Sequence, residues 1–436
     1  MPSIAPRGVA TLLVLALVAF VLAHVAPWPL VLAVVLAVFA AIVAFDLALL
    51  RAVPLQIERL PPPRLALARP DVLRYEIVNR ATSARRVALV EAPAERLAIA
   101  LDEARVVVPP LSRVELTISV VPRERGRTAL RSYHARIASP LGIVAVRRTW
   151  HAAVALRVAP DLSALDRSGD LVARTKLIEA GLRRLRRRGS GGEFASLRDY
   201  GPDDAFRAID WKASARRGRA LVKEFEVERA QQIVLALDAG RLLTPRLGDR
   251  RKLDYAVSAA LAVGAMARLA GDHVGAHAFA ATTLAHLTPA TGARQAAQLA
   301  ELLSDLEPRF EETDYERAVL DLSRALRRRS LIVLFTDLVD PVASSSVLAA
   351  ARVLVHRHLV LVVLMNDAAV ADALRTAPRG AEDAYRAAVA VTLAQERARA
   401  VASLHAHGML VVDVPAAELT VALLDAYVDV KTRGLL

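Results

Sequence analysis

Two apolar runs stand almost end to end near the start of the chain, and they constrain what can follow. Residues 8–26 read GVATLLVLALVAFVLAHVA and residues 30–50 read LVLAVVLAVFAAIVAFDLALL. Each is close to the roughly 20 residues a helix needs to cross a bilayer core of about 30 Å. Pro27, Trp28 and Pro29 alone separate them, so two crossing helices run antiparallel as a hairpin. Trp28 then falls at the interface, which suits an amphipathic indole. Arg7 precedes the first run, and Arg51, Arg59, Arg64 and Arg69 follow the second, while the turn carries no Lys or Arg. The positive-inside bias puts both ends of the hairpin in the cytoplasm, and so the hairpin in the inner membrane. A signal peptide cleaved after Ala23 is the competing reading. Asp46, near the inner end of the second run, is expected to reach the headgroup region.

The rest of the chain is too polar for a multi-pass transporter. Of 436 residues, 24% are charged, which leaves room for two or three soluble domains. There is no cysteine, so disulfides, thiolate nucleophiles and cysteine metal sites are all excluded. The formal net charge of +13 favours anionic partners, either nucleic acid or an anionic lipid surface. The arginines are spread through helices, which favours solvated faces over a nucleic-acid patch.

Residues 53–160 read as short β-branched runs separated by Pro, Gly and polar residues, among them VLRYEIVNR, RRVALVEAP and RVELTISVVP. That spacing predicts an antiparallel, immunoglobulin-like β-sandwich. His134 and His151 fall in no cluster there and read as incidental. Residues 161–230 form a linker that contains the polybasic LRRLRRRGSGGEF, residues 182–194. It reads as a solvated helix end and loop, or as a headgroup-pairing segment. From residue 231 onward, apolar strands alternate with helices. QIVLALD, HVGAHAFA, LIVLFTD, LVLVVLMN and MLVVDV are the strands. Continuous apolar strands imply a parallel sheet covered on both faces, a doubly wound α/β domain.

Ligands of such sheets bind beyond the carboxyl ends of the strands. Asp238 and Asp337 each end a strand, and Thr313 and Asp314 stand just before a helix. Acids and a hydroxyl at one edge form a hard-cation donor set, suited to Mg²⁺. The alternative is that they cap the following helices. No P-loop, H-E-x-x-H, G-x-S-x-G or G-x-G-x-x-G occurs, and no catalytic constellation is recognisable. A Mg²⁺-dependent phosphoester hydrolase remains an alternative resting on Asp238.

These strand ends resemble the von Willebrand factor A-type domain. That family holds a metal ion with a D-x-S-x-S sequence, a Thr and a TD pair. Asp238, Thr313 and Thr336-Asp337 match, whereas Gly240 and Leu242 stand where the serines would be. The resemblance therefore implies a degenerate Mg²⁺ site. A second resemblance rests on LRDYGPDDAFRAIDWKASARRGRALVKEFEVE. Tyr200, Pro202, Asp203, Asp210, Trp211, Lys212, Ser214, Arg216 and Phe225 match the signature of the bacterial "domain of unknown function 58" family. The resemblance implies a membrane-attached protein, with no established reaction, that works with a MoxR-type AAA+ ATPase as a scaffold or adaptor. Read from its residues, the signature is a structural clasp. Pro202 and Asp203 start a short helix, Trp211 plugs an apolar pocket, Gly218 ends a turn, and ALVKEFEVE runs into the sheet.

Overall fold

The structure is a computed structural model. It describes residues 2–4, 6–22, 27–100, 102–162, 176, 193–201, 204, 206, 209–226, 231–338 and 341–436. The chain divides into two compact units between Ala159 and Pro160. Most of the polybasic run lies outside the described residues, as do Pro202 and Asp203.

The first unit opens with a short strand β1 (Pro2–Ile4) and the apolar helix α1 (Pro6–Leu22). Helix α2 (Trp28–Ala52) takes in the whole second apolar run. Proline in its first turn fits, because those N–H groups have no helical acceptor. Among the described residues, α2 is the one helix long and apolar enough to cross a membrane; α1 follows the first apolar run as far as Leu22, and residues 23–26 of that run lie outside the described residues.

Eight strands follow: β2 (Gln56–Arg59), β3 (Asp71–Asn79), β4 (Arg85–Glu91), β5 (Leu97–Ile99), β6 (Ala104–Val108), β7 (Ser112–Pro122), β8 (Gly126–Ala138) and β9 (Val144–Val158). They form two antiparallel sheets, ordered β1-β9-β8-β4-β6 and β2-β3-β7-β5. Alternate residues of both sheets, including Tyr75, Ile77, Leu89, Ile118, Leu130 and Tyr133, fill one shared core. Within it the buried Glu91 accepts the Tyr75 hydroxyl and a forked Arg59 guanidinium, with Nη2 at 2.7 Å. Arg59 also lies 5.1 Å from the centre of the Tyr133 ring.

β1 adds to the edge of β9, with Pro2–Ile4 opposite Val146–Val144, a pairing with no signal in so short a segment. Asp46 also differs from expectation. Its side chain is fully buried, with no part in water. The Ser139 hydroxyl donates to it, as do the N–H groups of Leu141 and Ile143 at 3.0 and 3.2 Å. A buried carboxylate needs such donors, and the β8–β9 loop supplies three. Arg85 completes this joint by donating to the Leu49 carbonyl at 3.1 Å, near the C-terminus of α2, where a cation suits the helix dipole.

The second unit starts with a two-stranded ribbon. Strand β10 (Glu193–Asp199) pairs antiparallel with β11 (Leu221–Glu226), and helix α3 (Trp211–Arg217) lies between them in sequence. The segment expected to run into the main sheet thus pairs with β10 instead. The α/β sheet contains β12 (Gln232–Asp238), β15 (His273–Phe279), β16 (Thr283–Ala290), β17 (Ser330–Phe335), β18 (Leu359–Asn366) and β19 (Leu410–Pro415). A minor hairpin, β13 (Arg246–Leu247) and β14 (Arg250–Arg251), precedes helix α4 (Lys252–Leu269). The remaining helices are α5 (Ala293–Asp305), α6 (Tyr315–Ala325), α7 (Pro341–Val355), α8 (Ala368–Arg375), α9 (Ala381–Ala406) and α10 (Leu419–Arg433).

The sheet order is β16-β15-β12-β17-β18-β19, parallel except for β16. Successive residues of β12 feed two cores. Ile233, Leu235 and Leu237 pack with α4, α5 and α10, while Val234 and Ala236 pack with α6, α7 and α9. This two-sided burial is why the strand reads as a continuous apolar run. The chain leaves β12 toward β15, then returns past it to β17, so the strand order reverses at β12. The crevice at such a reversal is where doubly wound sheets bind ligands, and it brings Asp238 and Asp337 to one edge.

Candidate functional site

At that edge the Asp238 carboxylate is completely buried. Oδ1 accepts the Gly240 N–H at 2.9 Å and the Thr313 hydroxyl at 2.6 Å. Oδ2 accepts the Tyr315 hydroxyl at 2.5 Å and the Thr336 hydroxyl at 3.0 Å. Burial pushes Asp238 above the usual carboxylate range, and these four bonds pull against it. Burial, together with the adjacent Asp238, pushes Tyr315 well up, so it remains a neutral donor.

Asp337 is equally buried; its Oδ1 accepts the Leu338 N–H at 2.8 Å, and its side-chain partners are cations. Lys252 Nζ bonds Oδ2, and Arg397 Nη1 bonds Oδ1 at 2.8 Å. Arg397 also forks onto Asp413, with Nη2 2.8 Å from Oδ1. Burial lowers Arg397, and its bonds to Asp413 and Asp337 overcome that and hold it above its ordinary value. Neither cation has a local sequence signal, since Lys252 lies 85 residues and Arg397 60 residues from Asp337 in the chain.

The sequence-predicted trio is therefore brought together, with Asp238 held by neutral donors and Asp337 by two cations. The donor set does not fit a divalent cation. The Asp238 lone pairs are taken by protein donors, and the ammonium of Lys252 with the guanidinium of Arg397 supplies Asp337 with positive charge. Gly240 explains the first missing serine. A Cβ there would lie 2.1 Å from Thr313 Oγ1 and 3.1 Å from Asp238 Oδ1. Leu242, at the second serine position, is buried in the core beside α6. Arg241 turns outward to Glu312 at 2.7 Å, and Asp314 caps α6 through the Arg317 N–H. Beside the cluster opens a cleft of about 680 Å³, lined by Lys252, Asp337, Arg397 and Asp413 on its polar side and by Val370, Leu374, Leu393 and Val401 on its apolar side.

The signature segment builds a different kind of surface. Asp210 caps α3 by accepting the Lys212 and Ala213 N–H groups, each at 3.0 Å. The buried Ser214 hydroxyl accepts the Leu221 N–H at 2.8 Å, which ties α3 to β11. Gly218 ends the helix in the left-handed region at φ 68°. Asp204 takes a bidentate bond from Arg198 at 2.5 and 2.7 Å and the Gly201 N–H at 2.9 Å. Arg198 holds Asp204 below the usual carboxylate range. Phe225 lies opposite Phe194 in the ribbon register.

Trp211 does not plug a pocket. It is 60% exposed and meets Phe206, itself 68% exposed, edge to face at 5.3 Å. The reason is the shortness of α3, whose one buried side chain is Ser214, so it offers no apolar floor for an indole. Tyr200 is also exposed, and Lys212 and Arg216 are exposed on the same helix as Trp211. Asp210 and Ser214 thus hold the ribbon, while Tyr200, Phe206 and Trp211 face water.

Residues 196–407 match the family model described as "Protein of unknown function DUF58". Through this segment, just under half of its length, the chain is similar to the DUF58 family. Uncharacterized protein YeaD of Bacillus subtilis (strain 168) is 50% identical over 44 residues, which is 10% of this chain and 11% of that protein. Uncharacterized protein Rv1480 of Mycobacterium tuberculosis (strain ATCC 25618 / H37Rv) is 26% identical over 181 residues, covering 41% of this chain and 56% of that protein. The matches therefore span about half or less of these relatives' own length. Among solved structures, the SpRpn10 VWA domain aligns at TM-score 0.30 and 10% identity, over 45% of this chain and 95% of that one. An aerotolerance-related membrane protein from Bacteroides fragilis NCTC 9343 aligns at TM-score 0.29 and 13% identity, over 47% of this chain and 100% of that one. No site or activity is carried over from likenesses at these scores.

Proposed function

We propose that this chain is a membrane-anchored protein-interaction scaffold whose docking surface is the aromatic face of the DUF58 signature. The observation that carries it is the water-exposed Phe206–Trp211 pair beside Lys212 and Arg216. Exposed aromatics with adjacent cations are the residue types that dominate binding energy at protein interfaces. The partner is a MoxR-type AAA+ ATPase, as the family resemblance implies, and the hairpin holds the units at the cytoplasmic face of the inner membrane.

This reading assigns no catalysis to the strand edge. Support comes from the Asp238 and Asp337 carboxylates, which are committed to internal partners. A phosphoester hydrolase instead requires Mg²⁺-dependent turnover that Asp238→Ala abolishes. A second reading, nucleic-acid binding, gains from the same aromatic face, because exposed rings beside cations are also a stacking platform for single strands. It predicts binding to single-stranded DNA that falls steeply with added salt.

The test is a photo-crosslinking phenylalanine analogue placed at position 211 of the full chain in lipid nanodiscs, mixed with the purified ATPase. Crosslinks at 211 and none at Tyr385, an even more exposed aromatic of α9, support the docking surface. Equal crosslinking at both positions, or none at 211, contradicts it.

A further inference from the structure

We propose that one end of the β unit lies directly on the bilayer and inserts Leu111 and Leu141 into an anionic lipid interface. Between residues 53 and 160 the described chain exposes three large hydrophobic side chains: Leu111 at 73%, Val107 at 55% and Leu141 at 44%. Leu141 is distant in sequence from Val107 and Leu111, yet all three stand at the same end of the sheets. Arg85 starts β4 opposite Val108, the last residue of β6, and Arg86 is opposite Val107. The β6–β7 turn continues past Val108 to Leu111, whose N–H bonds the Ala81 carbonyl at 3.1 Å. Leu141 is in the β8–β9 loop, at the end of β8 that lies beside the start of β4. The opposite end of the sheets, including the β7–β8 turn at Arg123, exposes no large hydrophobic side chain among the described residues.

That end is where α2 enters. Arg85 bonds the Leu49 carbonyl, and the Leu141 N–H bonds the Asp46 carboxylate. At about 1.5 Å per residue, a core of about 30 Å takes roughly 20 residues of helix. Counted from Trp28, this brings the far edge of the hydrocarbon close to Asp46, and Leu141 to the same depth. Charge agrees with the placement. Across residues 46–52, 79–87, 106–114 and 137–147 the only acid is the buried Asp46, while Arg51, Arg80, Arg86 and Arg147 are exposed. Basic residues near the surface of an anionic leaflet are attracted to it, and exposed leucines gain from burial in the interface. Leu111 also occupies a left-handed turn position, φ 48°, where Gly or Asn is usual, so neither its backbone nor its exposure is explained by folding of the β unit alone.

The inference rests on the reading that α2 crosses the bilayer, and the test separates the two. The chain has no cysteine, so single labels are clean. Leu36→Cys, Leu111→Cys, Leu141→Cys and Arg123→Cys are each labelled with an environment-sensitive fluorophore in the full chain. The proteins are reconstituted in phosphatidylglycerol-containing nanodiscs, and quenching by lipid-attached nitroxides is measured. The expected result is deep quenching at 36, several-fold stronger shallow quenching at 111 and 141 than at 123, and blue-shifted emission at the same two positions. Quenching at 111 and 141 no greater than at 123, with 36 in lipid, overturns the inference and leaves the membrane reading intact. An unquenched label at 36 overturns both.

Discussion

Placing at position 240 the serine of the von Willebrand factor A-type pattern is expected to damage this domain rather than repair a metal site. In Gly240→Ser, the new Cβ would stand 2.1 Å from Thr313 Oγ1, far inside contact distance, and 3.1 Å from the Glu311 carbonyl oxygen. Thr313 can relieve the first clash by rotating, but it then gives up its 2.6 Å bond to the buried Asp238. Losing a hydrogen bond to a buried carboxylate costs about 1.5–3 kcal/mol. Residual overpacking against the Glu311 backbone adds to this, typically about 1 kcal/mol or more. The variant is expected to be destabilised by about 3 kcal/mol, which for a unit of this size lowers Tm by roughly 5–10 °C. Thermal unfolding of wild type and variant, each with and without millimolar Mg²⁺, is the assay. The cluster described above predicts no Mg²⁺-dependent rise in Tm for either protein. A variant as stable as wild type, with a Tm that Mg²⁺ raises, would refute the reasoning.

Other expectations follow from the same structure. Trp211→Ala should leave Tm within the range of a neutral surface change, about 0.5 kcal/mol, while weakening partner binding; a large fall in Tm restores the clasp reading. Lys431 and Asp272 form a fully buried pair at 2.7 Å, joined by the Tyr427 hydroxyl at 2.5 Å. Lys431→Met strands the carboxylate and should cost about 3–5 kcal/mol in a denaturant melt, and adding Asp272→Asn should recover part of it. Burial pushes His277 down to about 4, with His286 adding to the shift and Asp321 opposing it. Its folded pKa lies below the unfolded value, so its contribution is full above pH 6.5 and is lost as pH falls through 4. Stability of the α/β unit should fall by about 3 kcal/mol across that window, and His277→Asn should flatten the slope.

Much of the fold was legible because burial on both sides of a parallel sheet leaves unmistakable apolar runs. QIVLALD and LVLVVLMN became β12 and β18 with the expected bounds. The edge strand β16 was not legible, since TLAHLTPA is half exposed and carries a proline, which only an edge position tolerates. Helix α8 is a short exposed helix with no buried stripe to announce it. At the candidate site, Asp238, Thr313 and Asp337 were legible from their places at strand ends and before a helix. The residues that decide their chemistry were not. Lys252, Tyr315 and Arg397 reach them only through the tertiary fold, and nothing local marks a lysine or arginine as buried. Trp211 shows the converse limit. A tryptophan in an aromatic-poor chain invites a core assignment, yet whether a pocket exists for it depends on neighbours that composition does not reveal.

The central claim is that the aromatic face of the signature, rather than the strand edge, is what this protein presents to its partner. Binding isotherms of the nanodisc-held full chain against the purified MoxR-type ATPase test it most directly, comparing wild type, Trp211→Ala and Asp337→Asn. The expected result is at least about tenfold weaker binding for Trp211→Ala, equivalent to about 1.4 kcal/mol, at unchanged Tm. Asp337→Asn should lower Tm and leave affinity unchanged below its melting range. Undiminished binding by Trp211→Ala, with affinity lost in Asp337→Asn while it is still folded, would contradict the account.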